Sequence, residues 1–290
     1  MTITDIDPRP SAEPRTGLRA PSDVASLRVT LPRVIASEWV KFTSLRSSWI
    51  TLVSAVAILI GFGSLAAAVS AGDVATRGGQ GGGGPAAFGI DPTTLSLAGS
   101  GLAGIVLGIL GVIAVTSEYS SGMIRATLAA VPGRQSVLLA KGLVIGAVAL
   151  VVSVPATLIA FLAGQAILGQ GANVSLGDPG VARAVFGTGV YLAAVALLGL
   201  ALGALLRHAT GAVGALFVVL LLAPGLLGLV LPQSWEDTLL PYLPSNAASS
   251  FTSVVPPDGM LSAGAGAAVL VVWIVGLLGA AAVLLQRRDA

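Results

Sequence analysis

LSLAGSGLAGIVLGILGVIAVTSEYSSGMIRATLAAVPGRQSVLLAKGLVIGAVAL, residues 95–150, is two long apolar runs with one short charged interruption. About 20 apolar residues suffice to cross ~30 Å of hydrocarbon as a helix, and each run approaches that length. Between them Glu118, Arg125, Arg134 and Lys141 gather in a chain that has few charges to place. A bare connector needs only to be short and polar. This one reads as a surface to be touched.

The whole chain shares the character of those runs. Apolar residues make up 55% and charged residues 10%, with mean hydropathy +0.94. A soluble domain carries roughly 25% charged residues, so lipid is the expected solvent. Cysteine is absent, which removes disulfides, thiolate metal sites and cysteine nucleophiles. A single histidine, His208, cannot build a histidine metal cluster. The net charge of +2 is too small to mark a nucleic-acid binder, so no nucleic-acid partner is expected.

Six stretches reach or approach spanning length: about 49–71, 95–116, 138–168, 184–206, 212–231 and 263–285. The third is overlong and contains Pro155, which predicts a tilt, a kink or an extension beyond the membrane. The fourth and fifth are separated by Arg207–Gly211 alone and form a tight helical hairpin. Thirteen of the 15 Lys and Arg fall on one side of this arrangement: before the first span, between the second and third, between the fourth and fifth, and in the tail. Only Arg77 and Arg183 fall opposite. The positive-inside rule then predicts a multi-pass protein with both termini cytoplasmic.

Residues 1–30 lack an apolar signal region and are rich in proline, acids and arginine, as a disordered cytoplasmic tail is. Residues 31–290 hold the spans. GGQGGGGP in the first outer connection reads as a slack linker. The last, Pro232–Ser262, mixes Trp235, Tyr242 and Phe251 with prolines. A short interfacial or re-entrant helical hairpin around Ser234–Ser253 is favoured there, and an ordinary outer loop stays open.

No phosphate-cradling GxxxxGK[ST] stretch and no HExxH occur, and the spans hold no pair of carboxylates. No catalytic residue, metal ligand or cofactor of this chain's own is therefore expected. Ionisable side chains inside the bilayer, the mark of ion-coupled transporters, are nearly missing. GxxxG spacings stand at Gly104/Gly108, Gly142/Gly146 and Gly199/Gly203. With 38 glycines in the chain, roughly five such pairs arise by chance, so they decide nothing.

PRVIASEWVKFTSLRSSW, residues 32–49, precedes the first span. At helical spacing Val34, Ile35, Trp39, Phe42 and Leu45 share one arc, with Lys41 at its edge and Arg33, Ser37 and Ser44 opposite. That is an amphipathic helix for a membrane surface. Glu38 falls inside the apolar arc, so it must meet a protein cation or a helix N-terminus. Past the second span, Ser120 and Ser121 are candidate N-caps for a two-turn helix over Gly122–Ala130, ended by Val131-Pro132-Gly133. Met123, Ile124, Thr127 and Leu128 offer it an apolar knob with Arg125 and Arg134 beside it. Apolar anchors with arginine suit a docking surface for another protein; a solvated loop whose cations only set topology is the rival reading.

The order of these parts resembles the permeases of type-two ATP-binding-cassette exporters. The likeness covers about residues 32–288 and is strongest at Glu118-Tyr119, Gly122, Ile124-Arg125, Thr127-Leu128, Pro132, Arg134 and Lys141. SEWVKFTSLRSSW, with Glu38, Trp39, Lys41 and Arg46, resembles the connecting helix of such permeases, and YLPSNA, residues 242–247, resembles the outer loop of bacterial members. The resemblance implies an all-α membrane protein whose coupling helix seats in a separate ATPase subunit. Glu118, Tyr119, Gly122, Met123, Ile124, Arg125, Thr127, Leu128 and Arg134 would belong to that docking region. It also implies a second permease subunit, identical or similar, and ATP with Mg on the partner, in the bacterial inner membrane. An apolar lining with scattered Ser, Thr and Gln165 points to lipophilic or amphipathic cargo. The rivals are a non-transporting membrane scaffold or immunity protein that binds a partner, and an intramembrane hydrolase, which lacks a visible nucleophile–base pair.

Overall fold

The computed structural model describes residues 30–77, 91–130, 133–169, 173–230, 232, 235, 238–256 and 259–287. The tail before residue 30, the GGQGGGGP linker, and Val131-Pro132 at the end of the predicted docking helix lie outside the described residues. Helices α1 (Leu31–Ser44), α2 (Arg46–Arg77), α3 (Pro92–Ser96), α4 (Ser100–Ser120), α5 (Met123–Ala130), α6 (Arg134–Leu168) and α7 (Val181–Leu206) form the first part of the molecule. Helix α8 (Ala209–Phe217), a π-turn (Val218–Leu222) and α9 (Ala223–Val230) make up the fifth membrane-length segment. A 3₁₀ turn (Leu240–Tyr242), α10 (Pro244–Thr252) and α11 (Ala263–Arg287) complete the chain. No strand occurs among the described residues. Six helical segments are long and apolar enough to cross a membrane, which makes this an all-α, multi-pass membrane protein.

Helix α7 is the axis of the bundle, packing on α4, α6 and α11. Without a hydrophobic force between helices in lipid, close backbone approach must supply the contact. Glycine provides it along the α4–α7 seam. A Cβ at Gly111 would collide with the Ala196 carbonyl oxygen, one at Gly199 with that of Gly108, and one at Gly203 would come 3.0 Å from that of Val112. A methyl at Gly142 would meet nothing, and one at Gly146 only the Leu197 side chain. Of the three GxxxG spacings, those holding Gly108, Gly199 and Gly203 are structural, and the Gly142/Gly146 pair lies beside a hollow.

Most predicted span limits shift by a few residues, because hydropathy locates the lipid-embedded stretch while the helix runs on into polar sequence. The first span begins at Arg46, the fourth at Val181 and the fifth at Ala209. The second is corrected more sharply. It starts at Ser100, because residues 95–96 belong to α3, which a turn at residues 97–99 separates from α4. Asp91 caps α3 by accepting from Thr94 N at 2.9 Å. The Ser96 backbone then lies against Gly63, with its side chain against Gly164, so α3 is wedged between α2 and α6. The overlong third span is one unbroken helix of 35 residues with Pro155 inside it. At 1.5 Å per residue it is about 52 Å long, far more than the hydrocarbon requires, so α6 extends beyond it.

The hairpin between α7 and α8 turns in two residues. Arg207 ends α7 in the left-handed region at φ 57°, and His208 Nδ1 accepts from Gly211 N at 3.4 Å to cap α8. In the fifth segment the α-helix widens to a π-turn just before Pro224, whose missing N–H already removes a rung of the ladder. At the far end, residues 244–252 are helical. Helix α10 buries Ala247, Ala248 and Phe251 between α7 and α11, and Trp273 Nε1 donates to Tyr242 O at 2.8 Å. The described part of this connection thus contains a short packed helix, as the helical reading of the stretch expects.

Candidate functional site

The turn from α4 into α5 is built differently from the capping scheme that its serines suggest. Ser120 Oγ donates to Ser117 O at 3.1 Å and Ser121 Oγ to the same oxygen at 2.8 Å. Both hydroxyls therefore bond back to a carbonyl in the last turn of α4, one that also accepts from Ser121 N, and neither caps α5. Gly122 turns the chain at φ +72°, a conformation that an L side chain rarely adopts. Helix α5 leaves this corner with a definite facing. Met123 is 46% exposed and Arg125 is exposed, whereas Ile124 is buried near Tyr119, Val137 and Leu138. Ile124 is thus an anchor and not part of an outward knob. The side chains of Leu128 and Arg134 lie outside the described residues.

Helix α1 also splits its apolar arc. Val34, Glu38 and Phe42, at i, i+4 and i+8, form the buried stripe, which runs along α6. Trp39 and Leu45 face outward with Val40. The Trp39, Phe42 and Trp49 rings stand in sequence, with centroids 6.5 Å and 6.1 Å apart. Trp49 Nε1 donates to Thr43 O at 3.2 Å, tying the α1–α2 elbow. Arg46 is exposed at the start of α2.

The buried stripe carries Glu38 into a knot of four ionisable groups. Lys41 Nζ lies 2.7 Å from Glu38 Oε1 and 3.0 Å from Glu118 Oε1. Lys141 Nζ lies 2.5 Å from Glu38 Oε2 and 3.0 Å from Glu118 Oε1. Lys41 also donates to Thr127 Oγ1 on α5 at 3.4 Å. Two carboxylates and two ammoniums balance, which lets all four be ionised away from bulk water. The side chains of Glu38, Glu118 and Lys141 are 3%, 4% and 8% exposed, and that of Lys41 is 29% exposed. Burial works against the Lys41 charge, but hydrogen bonds to Glu38 and Glu118 and their negative charge outweigh it. They hold the ammonium above its ordinary 10.5. A cavity of about 70 Å³ adjoins the knot, lined by Ser48 and Ser117 among others.

The neighbouring residue reaches the opposite way. Arg207 lies over the Tyr119 ring, 5.4 Å from its centroid, and donates to Leu284 O on α11 at 3.4 Å. Glu118 and Tyr119, adjacent at the end of α4, therefore link the root of α5 to α1, α6, α7 and α11.

The cation that Glu38 demands is thus supplied twice, by Lys41 of its own helix and by Lys141, 103 residues away. Glu118 is turned inward and serves as a brace beneath α5. Sequence reading counted Lys141 and Arg207 toward topology, and Lys141 among the positions of strongest resemblance, but gave neither a partner. The signal for Lys141 was available: two carboxylates at the membrane edge need two cations, and Lys141 opens a span. Nothing in the sequence pointed Arg207 at Tyr119. Gln165 is buried within the chain. Its Nε2 donates to Ser96 Oγ at 2.9 Å and Pro92 O at 3.2 Å, and its Oε1 accepts from Val174 N at 2.7 Å. Among the described residues no group of three or more His, Asp or Glu could hold a metal ion.

Six membrane-crossing segments, with a braced short helix between the second and third, define a polytopic membrane protein of the permease type. The family model described as ABC-2 family transporter protein matches residues 34–290, and the chain belongs to that family. It is accordingly the membrane subunit of an ABC transporter. No curated protein matches the chain.

Proposed function

We propose that the chain is the permease of an ATP-driven exporter in the bacterial inner membrane, with both termini and α5 on the cytoplasmic side. A separate ATPase subunit, carrying ATP and Mg, docks on α5, and a second permease subunit, identical or similar, completes the transport path. One observation carries the reading. Helix α5 is held on one side by Thr127 and Ile124, with the half-exposed Met123 beside the knot cavity, and presents Arg125 on the other. A helix fixed at its base and bare on its far face can transmit a push from a docked partner, since transmission needs a stiff element. Thirteen of the 15 basic residues on the α1–α5 side support the orientation. Two adjoining apolar hollows of about 590 and 560 Å³ between α6 and α11, floored by Leu197, support a lipophilic cargo.

The test is co-purification with the co-expressed ATPase. Arg125→Glu should lower association about tenfold or more, as loss of an interface arginine does, while membrane insertion stays intact. Unchanged association would remove α5 as the docking element. Binding without any effect on ATP turnover in liposomes would make the chain a non-transporting scaffold.

A further inference from the structure

We propose that Lys41 is a releasable fastener between α1 and the docking helix α5, while Lys141 is the fixed counter-ion that keeps the knot closed when Lys41 lets go. The inference rests on the proposed docking of α5 and names the device by which its movement reaches α1.

The two ammoniums are unequal. Lys141 is 8% exposed and bonds one carboxylate from each of two other helices. Withdrawing it would leave Glu38 and Glu118 buried against a single, partly wet ammonium. Lys41 differs on each count. It is 29% exposed, so water can take over the hydrogen bonds it gives up. Its shortest contact, 2.7 Å to Glu38, lies within its own helix and moves with it. Its contacts beyond α1 lengthen outward, from 3.0 Å at Glu118 to 3.4 Å at Thr127. If Lys41 releases those two, Glu118 still keeps Lys141. The knot can open on one side without stranding a buried charge.

A second resting place for the ammonium is also present. Glu118 Oε2 is buried and has no donor among the described residues, whereas Oε1 takes both lysines. A cavity lined by Lys41, Ser48, Ser117 and Glu118 leaves room for the ammonium to move beside that carboxylate. Moving from Oε1 and Thr127 to Oε2 exchanges one charge-assisted bond for another, so the two arrangements lie close in energy. Discrete arrangements of that kind are what mechanical coupling requires. Thr127 is the α5 residue that senses which arrangement holds.

The absence of cysteine makes the test clean. Spin labels on Ala36→Cys in α1 and Ala129→Cys in α5, both exposed sites, report the α1–α5 distance in the full complex with its ATPase. The complex is measured with Mg-ATP plus vanadate and without nucleotide. The unsubstituted knot should show two distance populations whose ratio nucleotide shifts. Lys41→Met should retain the ATPase, because Arg125, on the far face of α5, is untouched. It should cut the engaged population about tenfold, the size set by losing a charged hydrogen bond, and abolish the nucleotide response. Lys41→Arg should restore that response, which a merely structural role for the position does not require. Retention of the ATPase with an unaltered nucleotide response in Lys41→Met overturns the fastener and leaves docking standing. Failure of the parent chain to retain the ATPase overturns docking, and the fastener with it.

Discussion

Helix α6 is tied near both ends, and the two ties are made of different chemistry. Near its start Lys141 joins two carboxylates and, through them, Lys41. Twenty-four residues on, about 36 Å along the axis, Gln165 joins α3 and the segment before α7 through neutral hydrogen bonds. The amide uses its oxygen once and its nitrogen twice at specific groups, so the Gln165 tie has little slack. The ionic tie shares one carboxylate oxygen between two lysines and leaves another without a donor. One end of α6 is stitched to its neighbours. The other can exchange partners, and it is the end that adjoins α5.

The comparison breaks most readily at Lys141. Lys141→Met leaves buried carboxylates under-compensated and should cost about 3–5 kcal/mol, read as a lower melting temperature in detergent. Adding Glu118→Gln should recover more than half of that loss. If the double variant melts no higher than the single one, charge balance is not what holds this end together.

The Gln165 tie should fail less severely. Gln165→Leu strands Val174 N, while Ser96 Oγ and Pro92 O keep their bond to each other, and should cost about 1–3 kcal/mol, given the penalty for a buried group left unpaired. It should leave ATPase association unaltered. A change in association equal to that of a knot variant would erase the distinction between the two ends.

Arg207 offers a finer probe. Arg207→Ala should cost about 1 kcal/mol through loss of the Tyr119 and Leu284 contacts. Arg207→Gly should melt above Arg207→Ala, because only glycine relieves the φ of 57°. Equal melting of the two would mean that the backbone at this corner is unstrained.

The smallest expected effect is that of alkaline pH. The Lys41 ammonium is held above its ordinary 10.5, so its contribution is fully present below that value and fades as pH rises through the folded-state value. Melting should therefore drop more above pH 10.5 for the parent chain than for Lys41→Met. Parallel curves would show that the Lys41 charge contributes nothing.

Much of this was legible in the residues themselves. Glu38 in an apolar arc announced a buried carboxylate in need of a cation, and the basic interruption after the second span marked α5 as the place to look. Its facing was not legible, because Met123, Ile124 and Thr127 are all plausible knobs until the root of α4 is placed. Ser120 and Ser121 misled for a similar reason. A hydroxyl between two helices suits either end, and the carbonyls of α4 claimed both.

By itself, the amino-acid order determined six membrane-length helices, an amphipathic lead-in and a one-sided distribution of basic residues. Each of these is a sum over neighbours in sequence, because a helix in lipid satisfies its backbone within its own segment. Only the tertiary structure decided which glycines touch, that α3 stands apart from α4, and that Lys141 answers Glu38 across 103 residues. Side-chain charges and close helix contacts are satisfied by whatever packing brings near, and spacing along the chain does not encode that distance.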